Sequence, residues 1–222
     1  MEALVKARIY IVIAIAAVSA AIVWLVFKGG LPAYDAVWPI VGAILIYGNF
    51  AERKGDNRKR AEIIVGEVYD LIDKSQFHAA KEHLKLAKAL APDYYGIYAA
   101  RGEIYRNERE YDSAIKELRK AISLNSSSFK ANFAMGLSCL QGKKILEAIS
   151  AFKRAVKINP EHIETYFILA QSYELNGDKN SALESYQSYV NLAEKVQTYD
   201  KKERDKIKNS IEHSQARIRE LQ

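Results

Sequence analysis

YGIYAARGEIYRNEREYDSAIKELRKAISLNSSS, residues 95–128, runs directly into FKANFAMGLSCLQGKKILEAISAFKRAVKINPEH, residues 129–162, and both stretches are 34 residues long. The same 34-residue step carries Ala80 to Ala114, Ala148 and Ala182. It also links Leu84, Leu118, Phe152 and Tyr186, and Ala87, Ala121 and Ala155, while Pro92, Ser126 and Pro160 fall at the unit ends. A fixed period of this length means one supersecondary unit stacked on copies of itself.

Inside residues 95–128, Tyr98, Arg101, Gly102 and Tyr105 recur at helical spacing, Asn107 to Glu110 interrupt the pattern, and Tyr111, Ala114, Ile115, Leu118, Ala121 and Ile122 resume it. The spacing predicts two helices joined by a short polar turn. Alanine fits where the two helices approach most closely, and the larger repeated side chains fill the space between neighbouring units.

With units starting at Ala61, Tyr95, Phe129 and Ile163, these residues resemble the tetratricopeptide repeat. The family's aromatic fourth position is met by Tyr98 and Tyr166, with Ile64 and Asn132 departing from it. Its small eighth position is met by Gly102, Gly136 and Ala170, and in the first unit only loosely by Gly66; its aromatic eleventh by Tyr105 and Tyr173, with Leu71 and Cys139 as weaker substitutes. The resemblance implies an all-α, right-handed solenoid of four helix hairpins, 61–94, 95–128, 129–162 and 163–198. After it, Ile207, Ile211, Ile218 and Leu221 form a narrow apolar stripe on a charged segment, so residues 199–222 read as a solvating cap helix.

Ahead of the repeats, Ile9 to Phe27 holds no charged residue, close to the roughly 20 residues a membrane-crossing helix needs. A cleaved signal peptide is the rival reading of this run, but the residues after Ala20 stay apolar. A second apolar stretch spans Leu31 to Phe50, with Pro39 expected to kink it, so residues 1–50 read as a transmembrane hairpin. The basic flank Arg53, Lys54, Arg58, Lys59 and Arg60 lies in a linker, 51–60, where it would face lipid head groups. Lys6 and Arg8 precede the first span, so the positive-inside rule puts both ends and the repeats in the cytoplasm, as in an integral protein of a bacterial inner membrane.

The net charge of +6 is uneven: residues 1–60 hold 8 Lys and Arg against 4 Asp and Glu, residues 61–222 hold 25 against 23. A nearly neutral repeat region gives no footprint for nucleic acid. Cys139 is the single cysteine, so no intramolecular disulfide can form. His78, His83, His162 and His213 include no pair spaced i, i+4 for a metal, and no phosphate loop or nucleophile elbow occurs, so no cofactor and no enzymatic activity is expected.

The family resemblance implies that ligands lie in the groove formed by each unit's first helix, at positions two, five, nine and twelve. Carried over, these are Val65, Tyr69 and Ile72; Ala99, Glu103 and Arg106; Lys130, Phe133, Leu137 and Leu140; and Phe167, Gln171 and Glu174. Chaperone-binding members grip a peptide's terminal carboxylate with Lys, Asn and Arg. Here the fifth positions are Val65, Ala99, Phe133 and Phe167, so that clamp is missing and an apolar floor replaces it. Either a partner segment or the chain's own linker or cap would cover such a floor. The expected role is a membrane-anchored adaptor holding a protein or peptide partner; self-stacking into a homo-oligomer, or service as a non-catalytic subunit of a membrane enzyme, are the alternatives.

Overall fold

The computed structural model describes residues 33–195 and 201–221. Among them are nine helices and no strand: α1 (Ala33–Asp73), α2 (Phe77–Leu90), α3 (Tyr95–Asn107), α4 (Tyr111–Leu124), α5 (Phe129–Gln141), α6 (Ile145–Ile158), α7 (Ile163–Leu175), α8 (Lys179–Ala193) and α9 (Lys201–Leu221). The chain divides at Asp56, and residues 57–222 form one compact unit.

From α3 onward, the first helix of each unit begins at the residue the period marks. The second helices start at Phe77, Tyr111, Ile145 and Lys179, again 34 residues apart. The N-terminal region differs from expectation. Residues 51–60, read from the sequence as a linker, are helical within α1, which runs from Ala33 through Pro39 to Asp73. Glu, Arg and Lys are good helix formers, and the lone Gly55 costs only about 1 kcal/mol against alanine, so nothing there stops a helix. Ile9 to Phe27 lies outside the described residues. No helix among the described residues is long and apolar enough to cross a membrane, so the expected transmembrane hairpin has no counterpart there.

Each hairpin turn is made the same way. Ser75, Arg109, Lys143 and Gly177 all have positive φ, at 58°, 65°, 60° and 79°. The next residue's N–H reaches back five residues, from Gln76 to Leu71, Glu110 to Tyr105, Lys144 to Cys139 and Asp178 to Tyr173, at 2.8–2.9 Å. This is the left-handed helix stop that satisfies the last carbonyls of the first helix. Three of the four units hold it without glycine.

The interior follows the repeat. Ala80, Ala114, Ala148 and Ala182 are fully buried, as are Ala87, Ala121 and Ala155. The eighth position faces position twenty-four across the hairpin. A Cβ on Gly102 would stand 2.6 Å from Leu118 Cγ, and one on Gly136 would stand 2.4 Å from the Phe152 ring. These glycines are a matter of space, since neither has positive φ. In the outer units Val68 and Leu84, and Ala170 and Tyr186, fill the corresponding places, all buried.

Two apparent departures from the repeat have structural reasons. Asn132 stands where Tyr98 stands one unit earlier, and both reach the carbonyl six residues back: Tyr98 Oη donates to Pro92 at 2.8 Å, Asn132 Nδ2 to Ser126 at 3.1 Å. The amide thus keeps the tyrosine's hydrogen bond. Asn132 also donates to the Ser128 carbonyl at 2.9 Å and accepts from Arg154 Nε at 2.9 Å, so its fully buried amide is satisfied. The second departure is Tyr189 in place of the alanine of Ala87, Ala121 and Ala155; it is buried with Val190 and Ala193 beneath Ile207, Ile211 and Ile218 of α9. The predicted apolar stripe is what seats the cap.

Candidate functional site: the first-helix groove

The residues expected to line the groove fall into three groups. Val65, Ile72 and Ala99 are buried, so they are not groove floor. Val65 and Ile72 pack into the core of the first unit with Val68 and Leu84. Ala99 packs with Ala121 and Ala131, and Lys130 on α5 places its Nζ 3.2 Å from the centre of the Tyr69 ring on α1. Burial lowers the Lys130 pKa, with Glu103 and Asp73 opposing, and burial drives Tyr69 upward with Glu103 adding to it. Glu103 in turn holds Arg106 Nη2 at 2.6 Å. Tyr69, Glu103, Arg106 and Lys130 therefore make the first units' share of the groove polar.

At the far end the cap takes part. Phe167 meets Tyr189 with ring centres 5.2 Å apart and His213 of α9 at 5.9 Å. Glu174 accepts from Tyr186 Oη at 2.6 Å and from Arg217 Nε at 2.9 Å. Burial pushes the Glu174 carboxyl up, but the hydrogen bonds from Arg217 and Tyr186 outweigh it, and the net pKa is lowered. A carboxyl held low in the folded state contributes its full stability above its ordinary value and loses it as pH falls through the lowered one. The docking of α9 should accordingly hold steady down to the ordinary glutamate value of 4.5 and weaken below it. Hydrogen exchange of the α9 amides against pH checks this; an acid-induced loss of protection that is identical in Glu174→Gln would assign the effect elsewhere.

Between these ends the groove is open. Phe133 is half-buried, stacked on Phe129 with centres 5.6 Å apart, edge-on to Phe152 at 5.9 Å and beside the His162 ring at 5.2 Å. Leu137, Leu140 and Gln171 are half-buried along the same helices. Next to this aromatic cluster lies a cleft of about 470 Å³. Ile163, Glu164 and Phe167 of α7 form one wall, Tyr189 a second, and Lys206 and Ile207 of α9 a third. The cap thus walls the groove without filling it.

Sequence reasoning missed Phe129, His162 and Ile207. Phe129 and His162 are the first and last residues of one unit, and that position, joining two units, was the available signal. Ile207 belongs to the cap's apolar stripe, which gives no sign that it also walls this cleft. Cys139 is fully buried and burial pushes its thiol up to about 11, so it stays protonated at neutral pH. The five cations Arg53, Lys54, Arg58, Lys59 and Arg60 are exposed on α1, and the Arg58 guanidinium lies 5.7 Å over the Tyr94 ring.

The tetratricopeptide repeat family model matches residues 99–163 and 133–195, so the hairpins of that stretch are similar to tetratricopeptide repeats. Anaphase-promoting complex subunit 3 of Schizosaccharomyces pombe is 27% identical over 125 residues, 54% of this chain and 19% of that protein. The chain therefore spans about a fifth of that relative's length. Among solved structures, MamA matches with a TM-score of 0.56 at 24% identity, over 77% of this chain and 93% of that one. The first repeat domain of Spaghetti (RPAP3), bound to the HSP90 peptide SRMEEVD, matches with a TM-score of 0.50 at 17% identity, over 54% of this chain and 95% of that one. These likenesses concern the fold.

Proposed function

We propose that the chain is an adaptor that holds an apolar segment of a partner protein along α5 and α7, with Phe133 and the cleft beside Phe167 as its anchor points. The observation that carries this reading is the open aromatic cluster of Phe129, Phe133 and His162 leading into the 470 Å³ cleft. Apolar side chains entering such a site gain roughly 25 cal/mol for each Å² removed from water. A terminal-carboxylate grip like that suited to the HSP90 peptide is disfavoured, because Lys130 is engaged over Tyr69 and the fifth positions are apolar. In comparative affinity purification of the full chain, Phe133→Glu should deplete the bound partner at least about tenfold, the loss of one anchor. Retention of the same partner by a Phe133→Glu protein that unfolds at the wild-type temperature would sink the groove reading.

The proposal extends to location: the apolar run Ile9 to Phe27, with Leu31 to Phe50 as the returning arm of a hairpin, anchors the adaptor in a membrane and keeps both ends, and so the repeats, on the cytoplasmic side. Support comes from the length of that run and the basic residues around it. A single cysteine at the exposed Asn180 should resist an impermeant thiol reagent on intact cells and react after lysis. Labelling on intact cells would reverse the assigned side.

A further inference from the structure

A second surface lies between the second helices α4 and α6, separate from the first-helix groove. Leu146 is 70% exposed there, on the first turn of α6. It stands between two depressions. One, of about 380 Å³, has Ile122 and Met135 as its floor and Arg119 on its rim. The other, of about 480 Å³, holds Ile149 with Lys153 and Lys157. Leu146, Ser150 and Arg154 belong to both.

The charge around this ridge is one-sided. Arg119, Lys153, Arg154 and Lys157 face a single carboxylate, Glu147, which already binds Arg119 Nη2 at 2.6 Å. Arg154 is held differently: its Nε donates to Asn132 Oδ1 at 2.9 Å and its Nη1 to Ser150 Oγ at 3.0 Å. Both partners are neutral, and among the described residues no carboxylate pairs with it. Its guanidinium is thus fixed in place with its charge unspent. A pre-positioned arginine loses little freedom on binding, and its planar fork suits a carboxylate.

We propose that this face docks an acidic segment of a partner protein, one apolar side chain settling against Leu146 and Ile122 while flanking Asp or Glu side chains meet Arg154, Lys153 and Lys157. The cations supply the sign of the partner, and the two depressions supply room for side chains. An anionic lipid surface would use the cations but not the depressions, which is why the segment is the better fit.

The test uses the full chain and a panel of labelled 15-residue peptides, with leucine at every third or fourth position and Glu between, alongside Gln-for-Glu versions. The acidic peptides should bind about tenfold more tightly than the Gln versions, with affinity falling as salt rises. Leu146→Ser and Lys153→Glu, both at exposed positions, should each weaken the acidic peptides about tenfold, a loss near 1.4 kcal/mol. Phe133→Glu should leave this binding unchanged, so failure here and failure of the first-helix groove are told apart. The proposal is overturned if no acidic peptide binds, if binding ignores Leu146→Ser and Lys153→Glu, or if these variants lose only binding to phosphatidylglycerol vesicles.

Discussion

Phe152→Ala should lower the unfolding free energy of the repeat region by about 3–5 kcal/mol, the usual cost of emptying a buried phenylalanine site. Phe152 is fully buried on α6, its ring pressed against Gly136 of α5 and edge-on to Phe133. The partner position makes the prediction sharper. In the wild-type chain a Cβ at residue 136 would lie 2.4, 2.6 and 2.7 Å from three ring atoms, so Gly136→Ala forces helix or ring to move. Overpacking of this kind costs about 1–3 kcal/mol, more than the roughly 1 kcal/mol alanine gains over glycine inside a helix. With Phe152 already replaced by alanine the obstruction is gone, and Gly136→Ala should stabilise by about 1 kcal/mol. Denaturant unfolding of the four proteins in this cycle reads the reversal of sign. The same sign in both backgrounds would mean the two helices do not meet at these residues.

The second large effect is expected at Asn132. Asn132→Leu should cost about 1–3 kcal/mol, the net loss of the side-chain hydrogen bonds that a buried amide now makes. The Ser126 carbonyl loses its side-chain donor and Arg154 loses its acceptor. Asn132→Asp separates the two halves: the carboxylate still accepts from Arg154 but cannot donate to the Ser126 and Ser128 carbonyls. It should therefore fall between wild type and leucine in thermal unfolding at neutral pH. A leucine variant as stable as wild type would show that these bonds contribute nothing net.

The sequence made the repeats legible because their packing is periodic. Helices that contact only neighbouring copies impose the same size limit every 34 residues, and Ala80, Ala114, Ala148 and Ala182 state that limit openly. Asn132 was legible as a departure but not as a replacement, since its hydrogen bond to Ser126 depends on where a carbonyl points. The groove was less legible still. Val65, Ile72 and Ala99 occupy the family's binding positions, yet they are buried, because accessibility depends on how tightly successive first helices close on one another. The contact of Lys130 with Tyr69 and the pairing of Glu174 with Arg217 join residues 61 and 43 positions apart in sequence. No local pattern encodes such partners.

Tyr189 carries a consequence of another kind. In the earlier units the small side chains of Ala87, Ala121 and Ala155 let each second helix accept the next hairpin at close range. At Tyr189 a phenol ring fills that berth, with the isoleucines of α9 laid over it. A fifth hairpin arriving in the same manner would find the place taken, and the charged outer face of α9 offers it no apolar landing. The chain therefore carries its own count: the size of one side chain determines where the series ends, and end-on growth of the array is shut off on that side.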